Sequence, residues 1–268
     1  MKKTSVLSVP VNNSVFLFTT IIFIIMFAKN IHIGCASFYN TKWKNVFYPK
    51  NIPSSKWFEF YCSHFNTFEI NAIFYKFPTL QILTNWHQKS PDGFIYSVKV
   101  PKLITHIKKF VECKPEIEEY FSICKQGLSD KLGCILFQLP PSFHYSTRKL
   151  KLIIASMNPD LITAVKYRHQ SWWSQEVYDT LAKNNITFCN VSHPTILYGI
   201  IATSSVGYVR LHRIPKIFYS EYSHIDLVKL HDAIIDKNSI EKVFIYFNNT
   251  ASEAEVVNAQ ELKTLFKS

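Results

Sequence analysis

Glycine is scarce in this chain: 6 in 268 residues, about a third of average usage. The six stand at 34, 93, 127, 133, 199 and 207, and no grouping of them spells GxGxxG or GxxxxGK. Neither glycine-rich phosphate cradle is therefore available. Paired cysteines are missing as well, since the 6 cysteines (35, 62, 113, 124, 134 and 189) form no CxxC and no metal spacing with histidine. Cys134 in CILF and Cys189 in TFCNV lie inside apolar runs, where the thiol acts as a small hydrophobe. That usage fits a reducing, cytoplasmic compartment. No low-hydrophobicity polar tract occurs, which excludes a disordered body, and no internal repeat or linker divides the chain.

What is present is apolar and basic. With 47% hydrophobic and 15% aromatic residues, a chain of this size buries roughly three-quarters of its unfolded surface around one core. Thirty Lys+Arg against 19 Asp+Glu leave a net +11, which invites a nucleic-acid reading. The lysines and arginines are dispersed, however, with no run longer than two (Lys2-Lys3, Lys108-Lys109).

Val15–Ala28 is a 14-residue apolar run that follows Lys2 and Lys3. It is short of the ~20 residues a spanning helix needs and closer to a signal h-region, yet Met26 and Ala28 make a poor cleavage site. A strand begins two residues later, leaving almost no linker. Three readings stand: translation from Met26, a membrane anchor through residues 15–28, and a cleaved signal, in that order of preference. The domain reading is an apolar segment 1–30 followed by one folded domain, 31–268.

From Ile31 onward, β-branched and aromatic runs alternate with amphipathic stretches. The expected strands are Ile31–Gly34, Thr67–Ile73, Phe94–Val100, Gly133–Leu139, Ile162–Arg168, Ile186–Val191, Gly207–His212 and Lys242–Asn248. The expected helices are Ser54–Phe65, Thr79–Lys89, Lys114–Gln126, Ser146–Ser156, Ser174–Asn184, Tyr222–Ile235 and Ser252–Phe266. Ser146 and Ser174 read as N-caps, and Ser252-x-x-Glu255 as a capping box. Residues 192–205 are too short and β-branched for a confident helix. Eight strands with helical crossovers in ~240 residues describe an α/β fold of the (β/α)8 barrel type, the alternative being an open doubly wound sheet.

Alternation along each strand separates two faces. One face collects Glu69 and Asn71, Ser97 and Lys99, Gln138, Lys166 and Arg168, Arg210 and His212, and Tyr246 and Asn248. Parallel strands covered on both sides normally read as continuous apolar runs, and unpaired buried cations cost several kcal/mol each. These polar strand ends are therefore expected to converge at the C-terminal mouth, where barrels bind ligands. Lys99, Lys166, Arg168 and Arg210 oppose a single carboxylate, Glu69. A pairing of Glu69 with Arg168 or Arg210 could fill the interior as an ion-pair network, but it leaves three cations over, which an anionic ligand would balance.

The segments NTFEINAIFYKFP (66–78), KVPKLITH (99–106), LGCILFQLPPSF (132–143), VKYRHQSWW (165–173), YVRLH (208–212) and YFNN (246–249) resemble the domain of unknown function 72 family, the YecE-like proteins. The resemblance runs from about Ile31 to Leu265. It implies a TIM-type barrel whose pocket would be lined by Glu69, Asn71, Lys99, His106, Gln138, Arg168, His169, Trp172, Arg210, His212, Asn248 and Asn249. It supplies no secure activity. The chain departs from the family pattern at Cys35-Ala36-Ser37-Phe38, at Lys166 and Thr250, where carboxylates are usual, and at Arg213, where glycine is frequent.

Glu69, His106 and His212 are the expected acid–base groups, with Glu69 held toward the base form by nearby cations. Asn71, Lys99, Gln138, Lys166, Arg168, His169, Trp172, Arg210, Asn248 and Asn249 are the expected ligand contacts. No cofactor is implied; a divalent metal stays open but is poorly served by one carboxylate beside two imidazoles. Trp172 could stack a base or sugar at a basic mouth; Trp173, Phe74, Tyr75 and Phe77 read as packing. Three functions follow: a barrel, enzyme or former enzyme, that binds an anionic and phosphate-bearing small molecule; a nucleic-acid-binding or phosphodiesterase-like protein; and a non-catalytic scaffold. Oligomeric state is not encoded in any of these features.

Overall fold

The computed structural model describes residues 29–191, 199–212, 221–249 and 252–267. The apolar run 15–28, with its three readings, lies outside these residues, as do Arg213 and Thr250. Eight strands follow one another: β1 (Asn30–Cys35), β2 (Thr67–Ile70), β3 (Ile95–Lys99), β4 (Leu132–Gln138), β5 (Thr163–Lys166), β6 (Thr187–Val191), β7 (Val206–Leu211) and β8 (Lys242–Phe247). Helices follow every strand but β6 among the described residues: α1 (Trp57–His64), α2 (Leu80–Lys89), α3 (Lys114–Leu128), α4 (Thr147–Ala155), α5 (Gln175–Lys183), α6 (His224–Ile235) and α7 (Ala254–Leu265).

Strand pairing is parallel throughout and runs in sequence order from β2 to β8, with β8 then pairing β1 along Asn30↔Lys242 to Cys35↔Phe247. That order is a barrel's and replaces the open-sheet alternative. The one seam without ladder pairing, β1 against β2, is bridged by a side chain from α1. Tyr61 Oη accepts from Cys35 N at 2.8 Å and donates to Thr67 O at 2.9 Å. Gly34 makes this closeness feasible, because a Cβ there would lie 2.4 Å from Thr67 O and 2.7 Å from the Tyr61 hydroxyl. The closure thus demands glycine in a chain that has few.

The outward strand faces (Ile33, Phe68, Ile70, Val98, Ile135, Phe137, Val165, Phe188, Val209, Ile245) pack beneath the helices. A smaller cluster fills the interior: Cys134, Leu136, Ala164, Cys189, Tyr208, Phe244 and Tyr246. Midway up the barrel the interior is hydroxyl-rich and neutral, with Tyr246 Oη joining Thr67 Oγ1 at 2.6 Å and donating to Ser97 Oγ at 2.9 Å.

Several local expectations change. Between β6 and β7 the described residues 199–205 are not helical. They are held against β6 instead, where Asn190 Oδ1 accepts from Ile201 N at 2.9 Å and Thr203 Oγ1 accepts from Phe188 N at 2.8 Å. Ser146 caps α4 by accepting from Lys149 N, whereas Ser174 precedes α5 without a side-chain bond. The capping box is not at Ser252 and Glu255 but at Ser223 and Asp226, which bond each other's backbone amides ahead of α6. Glu255 is free of that duty and turns inward.

Candidate functional site

Strand alternation delivers a layered polar cluster at the C-terminal end. Glu69 is fully buried and accepts three hydrogen bonds: from Arg210 Nη2 at 2.7 Å, Tyr208 Oη at 2.7 Å and Asn71 Nδ2 at 2.9 Å. Arg210 also donates to Gln138 Oε1 at 3.1 Å, and its Nε stays without a partner. Burial alone would push the Glu69 carboxyl up, but Arg210, Tyr208, Lys99 and Asn71 outweigh it and hold it below the usual range. A carboxylate so saturated accepts a further proton poorly. Its geometric effect is to fix the Arg210 guanidinium, so the expected ion pair forms with Arg210 and not with Arg168.

The remaining cations face no carboxylate within ion-pair distance among the described residues. Lys99 is buried with its Nζ 4.0 Å from the centre of the Phe74 ring, a cation–π contact. Burial and then the charge of Arg210 lower its pKa to about 8, against a partial pull from Glu69. Lys166 is buried on β5, beside Gln138 in the β4–β5 ladder. Its Nζ lies 2.5 Å from His212 Nε2, and His212 Nδ1 lies 3.0 Å from Asn248 Nδ2. Burial first, then Arg210, push the Lys166 amine well below its ordinary range, and burial with Lys166 does the same to the His212 imidazole.

β5 ends at Lys166, two residues earlier than expected, so Arg168 projects beyond the strand as an exposed side chain. It still acts on the cluster: burial and Arg210 lower its own pKa, and it helps lower those of Lys99 and His106. His106 sits in a π-helical turn, Leu103–Ile107, with Nδ1 2.9 Å from Thr105 Oγ1 and its ring edge-on to Phe74. Burial, Arg168 and Lys99 bring its pKa down to about 4, which leaves a neutral imidazole at physiological pH.

Two expected contacts, Trp172 and His169, stand apart from this cluster. Trp172 is fully buried behind the barrel, stacked on Tyr167 at 4.5 Å and Phe143 at 5.8 Å, with Nε1 donating to Phe143 O at 2.6 Å. A roofing indole bonded at its only polar atom offers no face to a base, and the expected stacking role is withdrawn; the roof is Trp172, with Trp173 only half-buried. His169 caps the short 3-10 turn Gln170–Trp172 by accepting from Ser171 N, and stacks on His144 at 3.9 Å. Asn249 is fully buried after β8.

Residues 32–268 match the family described as protein of unknown function DUF72. The chain belongs to the DUF72 family. Among its DUF72 relatives, UPF0759 protein YunF of Bacillus subtilis is 28% identical over 139 residues, 49% of each chain. UPF0759 protein YecE of Escherichia coli K12 is 25% identical over 148 residues, 54% of this chain and 51% of that one. The chain thus spans about half the length of the curated relatives it matches. A DUF72 structure from Thermotoga maritima superposes with a TM-score of 0.78 at 24% identity, covering 89% of this chain and 100% of the other. One from Enterococcus faecalis gives 0.74 at 19%, covering 90% and 99%. At these identities the likeness is one of fold.

Two residues of this DUF72 barrel escaped the sequence reading. Glu255, in the first turn of α7, is fully buried; Oε1 accepts from Ala36 N at 3.2 Å and Oε2 has no partner. Burial drives its pKa well above the carboxylate range against the pull of the Ala36 and Ser37 amides. It belongs to the same network, since Asn71 Nδ2 reaches both Glu69 and Ala36 O. The available signal was Glu255 lying between Ala254 and Val256, both buried. Tyr75 is the second: expected as packing, it is 74% exposed, with the Lys102 ammonium 5.7 Å from its ring centre. Among the described residues no group of three or more His, Cys, Asp and Glu side chains is placed to hold a metal ion, and no helix is long and apolar enough to cross a membrane.

Proposed function

We propose that the C-terminal mouth of this barrel binds a small anionic, phosphate-bearing ligand. One observation carries the reading: with Glu69 spent on Arg210, Lys99 and Arg168 lie close enough for one charge to oppose the other, and among the described residues neither has a carboxylate within ion-pair distance. Glu255 is no ready counter-charge for them, because burial pushes its carboxyl well above the usual range and disfavours the ionised form. His106 and His212 are neutral there and supply hydrogen bonds without adding positive charge. A dianion would discharge the two cations through charge-assisted bonds, and its charge would in turn raise the Lys99 pKa. Gln138, Asn71 and Asn248 supply amides for orienting polar groups. The nucleic-acid alternative lacks a stacking group at Trp172, and its signature, a steep fall of oligonucleotide affinity with salt, separates it from a small-molecule site. Calorimetric titration with inorganic phosphate tests the reading. Arg168→Ala and Lys99→Met are each expected to weaken binding by roughly ten-fold, about 1.4 kcal/mol; unchanged affinity in both variants overturns it.

A further inference from the structure

Lys166 and His212 form a pair that ordinary barrel packing does not account for. A lysine buried for structure is surrounded by oxygens, as Lys131 is: its Nζ donates to His87 O, Ser90 O and Ser90 Oγ at 2.8, 2.7 and 3.1 Å. Lys166 Nζ is buried equally deeply, but its hydrogen-bond partner among the described residues is another base, His212 Nε2 at 2.5 Å. Two basic nitrogens at that separation cannot both be protonated, so at most one of them carries charge. Arg210, pinned by Glu69 and Gln138, and Arg168 at the rim both oppose a further cation there. The outcome is an amine with its lone pair available and a proton carrier already in contact, which is how a lysine becomes a nucleophile toward carbonyl carbon.

We infer that Lys166 is a carbonyl-capturing amine, forming a Schiff base with an aldehyde or ketone that also bears an anionic group held by Arg168 and Lys99. The second half of this rests on the anion-site reading above; the first half does not. The Nζ lone pair forms the C–N bond while the carbonyl π pair moves onto oxygen. His212 Nε2 takes one Nζ proton and passes it to that oxygen, giving a carbinolamine. The remaining Nζ proton follows the same route as the C–O bond breaks, so water leaves and a C=N bond remains. No oxidant, reductant or metal is consumed. Asn248, bonded to His212 Nδ1, keeps the imidazole turned toward Lys166.

The test is reductive trapping. The full-length chain is incubated with glyceraldehyde 3-phosphate and, separately, with glyceraldehyde, each with cyanoborohydride, and the secondary amines are mapped by peptide mass spectrometry. The expected result is dominant labelling at Lys166, little at Lys131, and faster labelling by the phosphorylated aldehyde. His212→Gln, which keeps a hydrogen-bonding side chain, should slow trapping by on the order of a hundred-fold and flatten its pH profile. Lys166→Met should abolish the site while leaving the circular dichroism of the barrel intact. Labelling spread over surface lysines with Lys166 unmodified overturns the inference, even if phosphate still binds. Equal trapping by both aldehydes keeps the amine and overturns the anion reading.

Discussion

Lys131, at the start of β4, and Lys166, at the end of β5, are each about 4% exposed, yet the barrel treats them differently. At the N-terminal end the ammonium of Lys131 is enclosed by two carbonyls and a hydroxyl. At the C-terminal end Lys166 meets an imidazole and two guanidinium charges. The same contrast holds for the interior as a whole. Toward the N-terminal end, His32 stacks neutral on Phe244, its pKa brought to about 4 by burial and Lys242, below the neutral Thr67–Tyr246–Ser97 hydroxyl chain. The C-terminal layer crowds Arg210, Lys99, Lys166 and Arg168 around Glu69, the one ionised carboxylate there among the described residues. A buried charge matched by acceptors is structure; a buried charge set against its own kind costs stability, and such costs persist at sites that do something else.

The contrast can be broken from its strongest point downward. Glu69→Ala removes the carboxylate paired with Arg210 and leaves that guanidinium buried and unmatched. Chemical denaturation should register a loss of about 3–5 kcal/mol, much of it recovered in Glu69→Gln combined with Arg210→Met. If Glu69→Ala costs less than about 1 kcal/mol, the pair is not buried as described. Next come the two lysines, whose methionine variants should move in opposite directions. Lys131→Met strands buried oxygens and should destabilise by about 1–3 kcal/mol, whereas Lys166→Met relieves a disfavoured cation and should leave stability unchanged or raise it by up to about 4 kcal/mol. Equal losses in both would erase the distinction. The smallest effect belongs to Glu255. Its folded pKa lies above the unfolded one, so the native state holds a proton that the unfolded chain releases, and stability falls as pH rises past the unfolded value. Glu255→Gln cannot titrate and should gain on the order of 1 kcal/mol at pH 8, with the advantage shrinking toward pH 4.

Much of this was legible beforehand because periodicity reports burial. The eight strands fall where β-branched runs placed them, and the inward set Glu69, Lys99, Gln138, Lys166 and Arg210 follows from period-two alternation once the sheet closes. What alternation cannot give is where a strand stops. β5 ends at Lys166, which moves Arg168 from the interior to the rim, and β2 ends at Ile70, after which a 3-10 turn over Ala72–Phe74 leaves Tyr75 outside. Helix caps misled for a related reason. Ser252-x-x-Glu255 has the spacing of a capping box, but α7 starts close to the end of β1, and the free amides of Ala36 and Ser37 compete for the carboxylate. Trp172 and Trp173 are adjacent and alike in sequence, and only the packing of Phe143 and Tyr167 decides which is enclosed.

The central claim is that positive charge at the barrel mouth exceeds the acids able to balance it. Calorimetric titration with sulfate, whose own charge is constant from pH 7 to 9.5, tests it most directly. Lys99 loses its proton near pH 8, and a bound dianion favours the protonated form, so affinity should be highest at pH 7 and fall by at least roughly ten-fold by pH 9.5. Saturable binding that weakens in this way, and that shows no such pH dependence in Lys99→Met, is the expected result. Absence of saturable binding at pH 7, or an affinity that stays constant across the range, would contradict the account.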